Sequence, residues 1–262
     1  MCIRDRRRGL DMTINNEIEQ VLQKADQQLL GKDYVFVSLG NPNMKASVKL
    51  IKQSRNLKRD ITKQYEQFKK KAGKYLKWVK IDFVYRTKEV VFEDVKRDLE
   101  ETRRNYIDYG IAYDKNWNLT FMAEEININA FVRPTKDKKS FFLSEDNINN
   151  YLKKYTKHKQ FYRHQDYMGK PIKKFYTKGY FIENHEVYEL AAEGREKGLR
   201  HVEDLSQEID KMLETSTDYL ANELQPSGQF IYGYFPHFDK KISFYNNLRH
   251  ASSTYALMEG LH

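Results

Sequence analysis

Cysteine is almost absent: Cys2 is the only one in 262 residues, so the chain can form no internal disulfide and no thiolate cluster for zinc. Long apolar runs are missing as well. Without about 18 consecutive apolar residues no helix spans a bilayer, and the start lacks the apolar stretch of a secretory signal, so the protein is expected in the cytosol. No G-x-G-x-x-G or G-x-x-x-x-G-K-[ST] follows a strand, which removes the common phosphate cradles. There is no G-x-S-x-G elbow, and the missing cysteine nucleophile removes thiol proteases. His158 and His164 lack the i, i+4 spacing and nearby Glu of a zinc helix, and read as surface residues. Neither a metal nor a cofactor is expected.

What is present is enough for a packed core, with 40% hydrophobic residues. Aromatic residues make up 14%, with 19 Tyr and 15 Phe against 12 Gly. Such rings fill cores and also line carbohydrate or base-stacking surfaces. The formal charge is +9. Lysine-rich faces such as Lys69, Lys70, Lys71 and Lys74 are interleaved with acids, the pattern of a solvated helix surface rather than of a nucleic-acid footprint. An anionic polymer substrate would also suit that charge. The first eleven residues, MCIRDRRRGLD, resemble translated sequencing-adapter read-through at the edge of an assembled metagenomic fragment. On that reading residues 1–11 are a non-native leader, the protein starts at Met12, and neither Cys2 nor the arginine cluster is native.

Hydrophobic spacing predicts an α+β fold. Ile14, Ile18, Val21, Leu22, Ala25 and Leu29 recur at helical spacing, Gly31 closes that helix, and DYVFVSLG reads as a buried strand before an Asn41-Pro42-Asn43 turn. A charged helix is expected over residues 58–74, with Ile61, Tyr65 and Phe68 on one side and Gly73 as its C-cap. In the next strand Trp78, Lys80, Asp82 and Val84 alternate with Val79, Ile81, Phe83 and Tyr85. Further helices are predicted over residues 93–104, 121–129 and from Ser144, an N-cap, then an aromatic strand over residues 175–182. This order fits a sheet covered on one face, with a doubly wound sheet as the alternative. An α+β domain over residues 12–192 is followed by an exposed boundary between Glu193 and Val202.

The strongest helical period runs from Leu205 through Ile209, Met212, Leu213 and Leu220 to Leu224 and stops at Gln225-Pro226-Ser227-Gly228. An aromatic segment and a second helix from near Tyr245 complete a helical hairpin over residues 203–262. The amphipathic helix, then QPSGQFIYGYFP, then LRHASSTYAL resembles the first hairpin of six-hairpin (α/α) toroid proteins, the superfamily of many glycosidases, polysaccharide lyases and uronyl epimerases. The resemblance covers residues 203–260. Such toroids need several hairpins, so the chain is expected to hold an incomplete one.

The resemblance implies a carbohydrate-active or cell-envelope polymer-processing enzyme whose cleft takes an anionic oligosaccharide or polymer. Its implied catalytic residues here are Tyr234, Arg249 and His250, with Tyr232, His237, Asp239, Tyr245 and Asn246 binding substrate. Arg249 would hold an anion by a forked pair of hydrogen bonds, His250 or Tyr234 would move a proton, and Tyr232 would stack on a sugar ring. Read without it, the same tyrosines pack the turn, Arg249 pairs with Asp239 and His250 is a core histidine. A second-rank site comprises Glu125 and Asn129, four apart on one helix face, with Arg103. Two other classes stay open: a non-catalytic helical scaffold or binding protein, and a basic RNA-binding protein through the tyrosine-rich N-terminal half.

Overall fold

The computed structural model describes residues 3–26, 33–41, 44–72, 76–102, 106–235, 238 and 240–261. The chain divides into two compact units, Met1–His201 and Val202–His262. No described helix is long and apolar enough to cross a membrane.

The first unit is α+β. Its helices are α1 (Ile3–Asp26), α2 (Leu57–Ala72), α3 (Phe92–Glu101), α4 (Ala123–Ile128) and α5 (Glu145–Tyr155). Seven strands, β1 (Tyr34–Asn41), β2 (Met44–Lys52), β3 (Trp78–Val91), β4 (Gly110–Ala112), β5 (Thr120–Phe121), β8 (Pro171–Glu183) and β9 (Glu186–Glu189), form a sheet curled into a half-barrel. A separate hairpin pairs β6 (Val132–Pro134) with β7 (Phe141–Leu143). The sheet order is β2-β1-β3-β8-β4-β5, and β9 also pairs with β8. Strand β8 organises this arrangement. Along one edge it pairs with β3, from Trp78↔Glu183 to Val91↔Pro171. Its other edge is divided between β4, near Ile111↔Lys174, and β9, near Phe181↔Tyr188. Every pairing is antiparallel, which excludes the doubly wound alternative.

Period-two alternation decides what each sheet face buries. Val35, Val37 and Leu39 of β1, Val79, Ile81 and Phe83 of β3, and Tyr180 and Ile182 of β8 form one buried surface. It packs against Ile14, Ile18 and Val21 of α1 and Ile61, Tyr65 and Phe68 of α2. Leu29, Gly31, Pro42, Asn43 and Gly73, expected to end helices or form a turn, lie outside the described residues.

The expectation of a sheet covered on one face needs correction. Phe36, Val84 and Phe175 on the opposite face are buried with Ala112, Trp117 and Met122. The chain from β4 to α4 folds over them. Trp117 reaches this position from a left-handed backbone conformation, φ 55°, and stacks on Tyr34 with ring centroids 4.0 Å apart. A third cluster joins Val95 and Leu99 of α3 to Ile148 and Leu152 of α5 around Phe131 and Leu143. Ser144 caps α5 as its sequence suggests, its hydroxyl accepting the Asn147 N–H.

The second unit contains α6 (Leu205–Glu223), a hairpin of β10 (Tyr234–Phe235) and β11 (Lys240–Lys241), and α7 (Asn247–Gly260). The two helices pack together, and a Cβ at Gly260 would fall 2.1 Å from Thr217 Oγ1. The toroid expected from the resemblance requires further hairpins beside this one.

Where β4 crosses β8, Gly110 lies over the fully buried Phe175, and an added Cβ would come within 2.2 Å of the ring. Gly110→Ala is therefore expected to lower unfolding free energy by about 1–3 kcal/mol through overpacking. Urea denaturation of the variant beside wild type checks this; an unchanged midpoint would mean that β4 and β8 separate freely.

Candidate functional sites

Among the described residues, one cleft in each unit holds side chains that the sequence singled out. In the second, Pro226, Ser227 and the left-handed Gly228 (φ 78°) turn the chain sharply after α6, with Gly228 N–H bonded to the Gln225 carbonyl at 2.8 Å. The turn delivers Phe230 and Tyr232 to the start of α7. Asn246 is the N-cap of that helix, its side-chain oxygen accepting the Arg249 N–H at 3.0 Å. Residues 249 and 250 consequently sit on the first turn.

The cleft between these segments encloses about 160 Å³ and is lined by Phe230, Tyr232, Tyr245, Asn246, Arg249 and His250. The Tyr245 hydroxyl accepts the Phe230 N–H at 3.2 Å and pairs with His250 Nδ1 at 2.6 Å. With Nδ1 engaged, Nε2 is the ring nitrogen left for a ligand. The Arg249 guanidinium lies 4.7 Å from the Tyr232 ring centroid, a cation–π contact that holds the guanidinium plane in place.

The structure brings some of the expected residues together and separates others. Arg249 and His250 meet in one cleft, but Tyr234 does not line it. Tyr234 pairs with Lys241, and the Ile242 N–H bonds to the Gly233 carbonyl, drawing Tyr234 into the β10–β11 hairpin. Tyr245, expected to bind substrate, lines the cleft and bonds to His250. Tyr232 offers Arg249 the ring face expected for a sugar, and Asn246 spends its oxygen on the helix cap. His237 and Asp239 lie outside the described residues, so the Arg249–Asp239 pair does too.

The second cleft lies in the first unit, beneath α4. It encloses about 340 Å³ between β1, β2, β3, β8 and α4. Glu125 is buried there. One of its oxygens accepts the Met122 N–H at 2.8 Å and the other the Tyr151 hydroxyl. Burial pushes its pKa up to about 7, against the two donors that favour the carboxylate. Asn129 does not share in this chemistry: its amide donates to the Glu125 carbonyl at 2.6 Å, and its side-chain oxygen is buried without a partner among the described residues. Arg103 lies outside the described residues.

Lys80, Asp82 and Glu124 were not expected to converge. Lys80 Nζ reaches Asp82 Oδ1 at 2.9 Å and Glu124 Oε1 at 2.7 Å. Burial alone would lower the Lys80 pKa, but the two carboxylates outweigh it and hold the ammonium above its usual range. The Asp82 carboxyl is pushed up by burial, only partly offset by Lys80. Glu124 is likewise raised by burial but ends below its ordinary value because Lys80 stands beside it. In the strand pattern Lys80 and Asp82 read as a solvated face. The available signal was Gly179, which stands opposite Asp82 in register and where a Cβ would come within 2.7 Å of Asp82 Oδ1. A glycine inside a strand marks close approach by another group.

No family model matches the chain, and no curated protein or solved structure matches it.

Glu125 makes stability depend on pH. Its folded pKa, about 7, exceeds the ordinary 4.5, so folding takes up a proton between those values and stability falls as pH rises across the window. The loss is on the order of 3 kcal/mol, and Glu125→Gln is expected to remove it. Urea unfolding from pH 4.5 to 8 measures the difference. Parallel pH profiles for wild type and variant would show that Glu125 titrates as an ordinary carboxyl.

Proposed function

We propose that Val202–His262 is the opening hairpin of an (α/α) toroid and that the protein processes an anionic saccharide, best described as a uronate-containing oligosaccharide. The observation that carries this reading is the placing of Arg249 and His250 on one helical turn, with His250 Nδ1 bound by Tyr245. A guanidinium can neutralise a sugar carboxylate by paired hydrogen bonds. That neutralisation acidifies the adjacent C–H, and a histidine whose Nδ1–H donates to Tyr245 keeps Nε2 as the nitrogen that can take the proton. Hydrolysis, elimination and epimerisation all belong to the resemblance. Elimination and epimerisation, which begin with proton loss beside the carboxylate, use this grouping most fully.

The helices themselves support the toroid. Leu205, Ile209, Met212 and Leu213 on α6 and Leu248, Tyr255 and Met258 on α7 are exposed. Apolar surface of this extent calls for cover, and hairpins packed side by side in a ring provide it. A non-catalytic scaffold that presents these residues to a protein partner is the second reading, favoured by the same exposure. The proposed setting is the cytosol, in a biosynthetic or oligosaccharide-processing role.

Calorimetric titration of the full chain with trigalacturonate and with neutral maltotriose tests the proposal. Wild type is expected to prefer the uronate. Arg249→Gln should weaken uronate binding by about 10-fold or more, in line with the loss of a charged hydrogen bond, and leave the neutral sugar unaffected. Absence of uronate binding, or unchanged affinity in the variant, would favour the scaffold.

A further inference from the structure

The cleft beneath α4 is independent of the saccharide reading, and its walls and donors define a different ligand. Its floor is made by small side chains on neighbouring strands, Ser38 and Gly40 of β1 and Ala46 of β2. Around that floor stand Val48, Trp78, Met122, Ile128 and Phe181, so most of the surface is apolar. A cleft with apolar walls and a few converging polar groups is the usual form of a small-molecule site.

Those polar groups are unequally occupied. Glu125 receives the Tyr151 hydroxyl and the Met122 N–H, and Glu124 receives Lys80. The carboxylates facing the cleft therefore already hold donors. Lys80 does not have a full set of acceptors. Its ammonium carries three N–H groups, Asp82 and Glu124 take two, and no acceptor for the third exists among the described residues. The Ser38 hydroxyl also has no hydrogen-bond partner among them. Lys80 and Ser38 thus present unfilled donors to the cleft, while the one buried carboxylate oxygen beside them without a partner among the described residues, Asp82 Oδ2, belongs to a residue that does not line it.

Local charge favours an acidic acceptor. Lys45 lines the cleft, and Lys197 lies close enough to act electrostatically on both Asp82 and Glu124. Two lysines, Lys45 and Lys80, thus line the cleft beside one carboxylate held ionised, Glu124, and one, Glu125, whose burial favours the neutral form.

We propose that this cleft binds a small organic monocarboxylate with a flat or branched apolar body. Its carboxylate meets Lys80 Nζ and Ser38 Oγ, and its body lies between Trp78, Phe181 and Ile128. The volume, about 340 Å³, suits one compact ligand rather than a polymer chain.

The test is ligand-observed saturation-transfer NMR on the full chain, with 3-phenylpropionate as probe and 3-phenylpropionamide and phenethylamine as controls. The acid should bind at least 10-fold more tightly than either control, because only it places a full negative charge against the lysine. Ala46→Phe fills the floor from an exposed position and should abolish acid binding while the fold is retained. Lys80→Gln should erase the preference for acid over amide. Failure of the acid to bind, tighter binding of the amine, or full affinity in Ala46→Phe would overturn the proposal. None of these results bears on Arg249 or His250, so the saccharide reading stands or falls separately.

Discussion

Asp82 is almost completely buried, and the ammonium of Lys80 makes that burial sustainable. An isolated carboxylate in a protein interior is strongly disfavoured unless it is paired or neutralised. Lys80 sits two residues away on the same strand face and reaches outward to Glu124 on α4. The contact joins the sheet to the helix that covers it. Gly179 makes room for it, since any side chain there would collide with the Asp82 carboxylate. Lys80 and Glu124 also line the larger cleft, so the joint forms part of its wall.

Much of the first unit was legible because periodicity alone specifies it. Val35, Val37 and Leu39, or Val79, Ile81 and Phe83, alternate cleanly, and their burial against α1 and α2 follows. The covered second face was not legible, because Lys80 and Asp82 read as solvent-facing. A strand pattern cannot tell a hydrated charge from one paired with a helix residue 44 positions further along the chain, as Lys80 is with Glu124. Strand β2 was also missed: its sequence, MKASVKLIK, mixes lysines with small residues, as an edge strand does to discourage further pairing.

The two helices of the second unit were plain from their spacing, and the turn between them from Pro226, Ser227 and Gly228. Spacing could not assign the aromatic segment. Tyr232 and Tyr234 are equivalent in sequence, yet pairing with Lys241 carries Tyr234 into a hairpin while Tyr232 meets Arg249. Tyr245 precedes the helix cap, where no helical period applies, and its contact with His250 appears only in three dimensions.

The most direct measurement of the central claim is a double-mutant cycle on Lys80→Met and Asp82→Asn, read as unfolding free energy in urea. If Lys80 sustains the buried carboxyl, Lys80→Met alone costs about 3–5 kcal/mol, and the double variant is more stable than the sum of the single losses predicts, by at least about 1 kcal/mol. Additive losses would contradict the account, because Asp82 would then be buried without depending on Lys80.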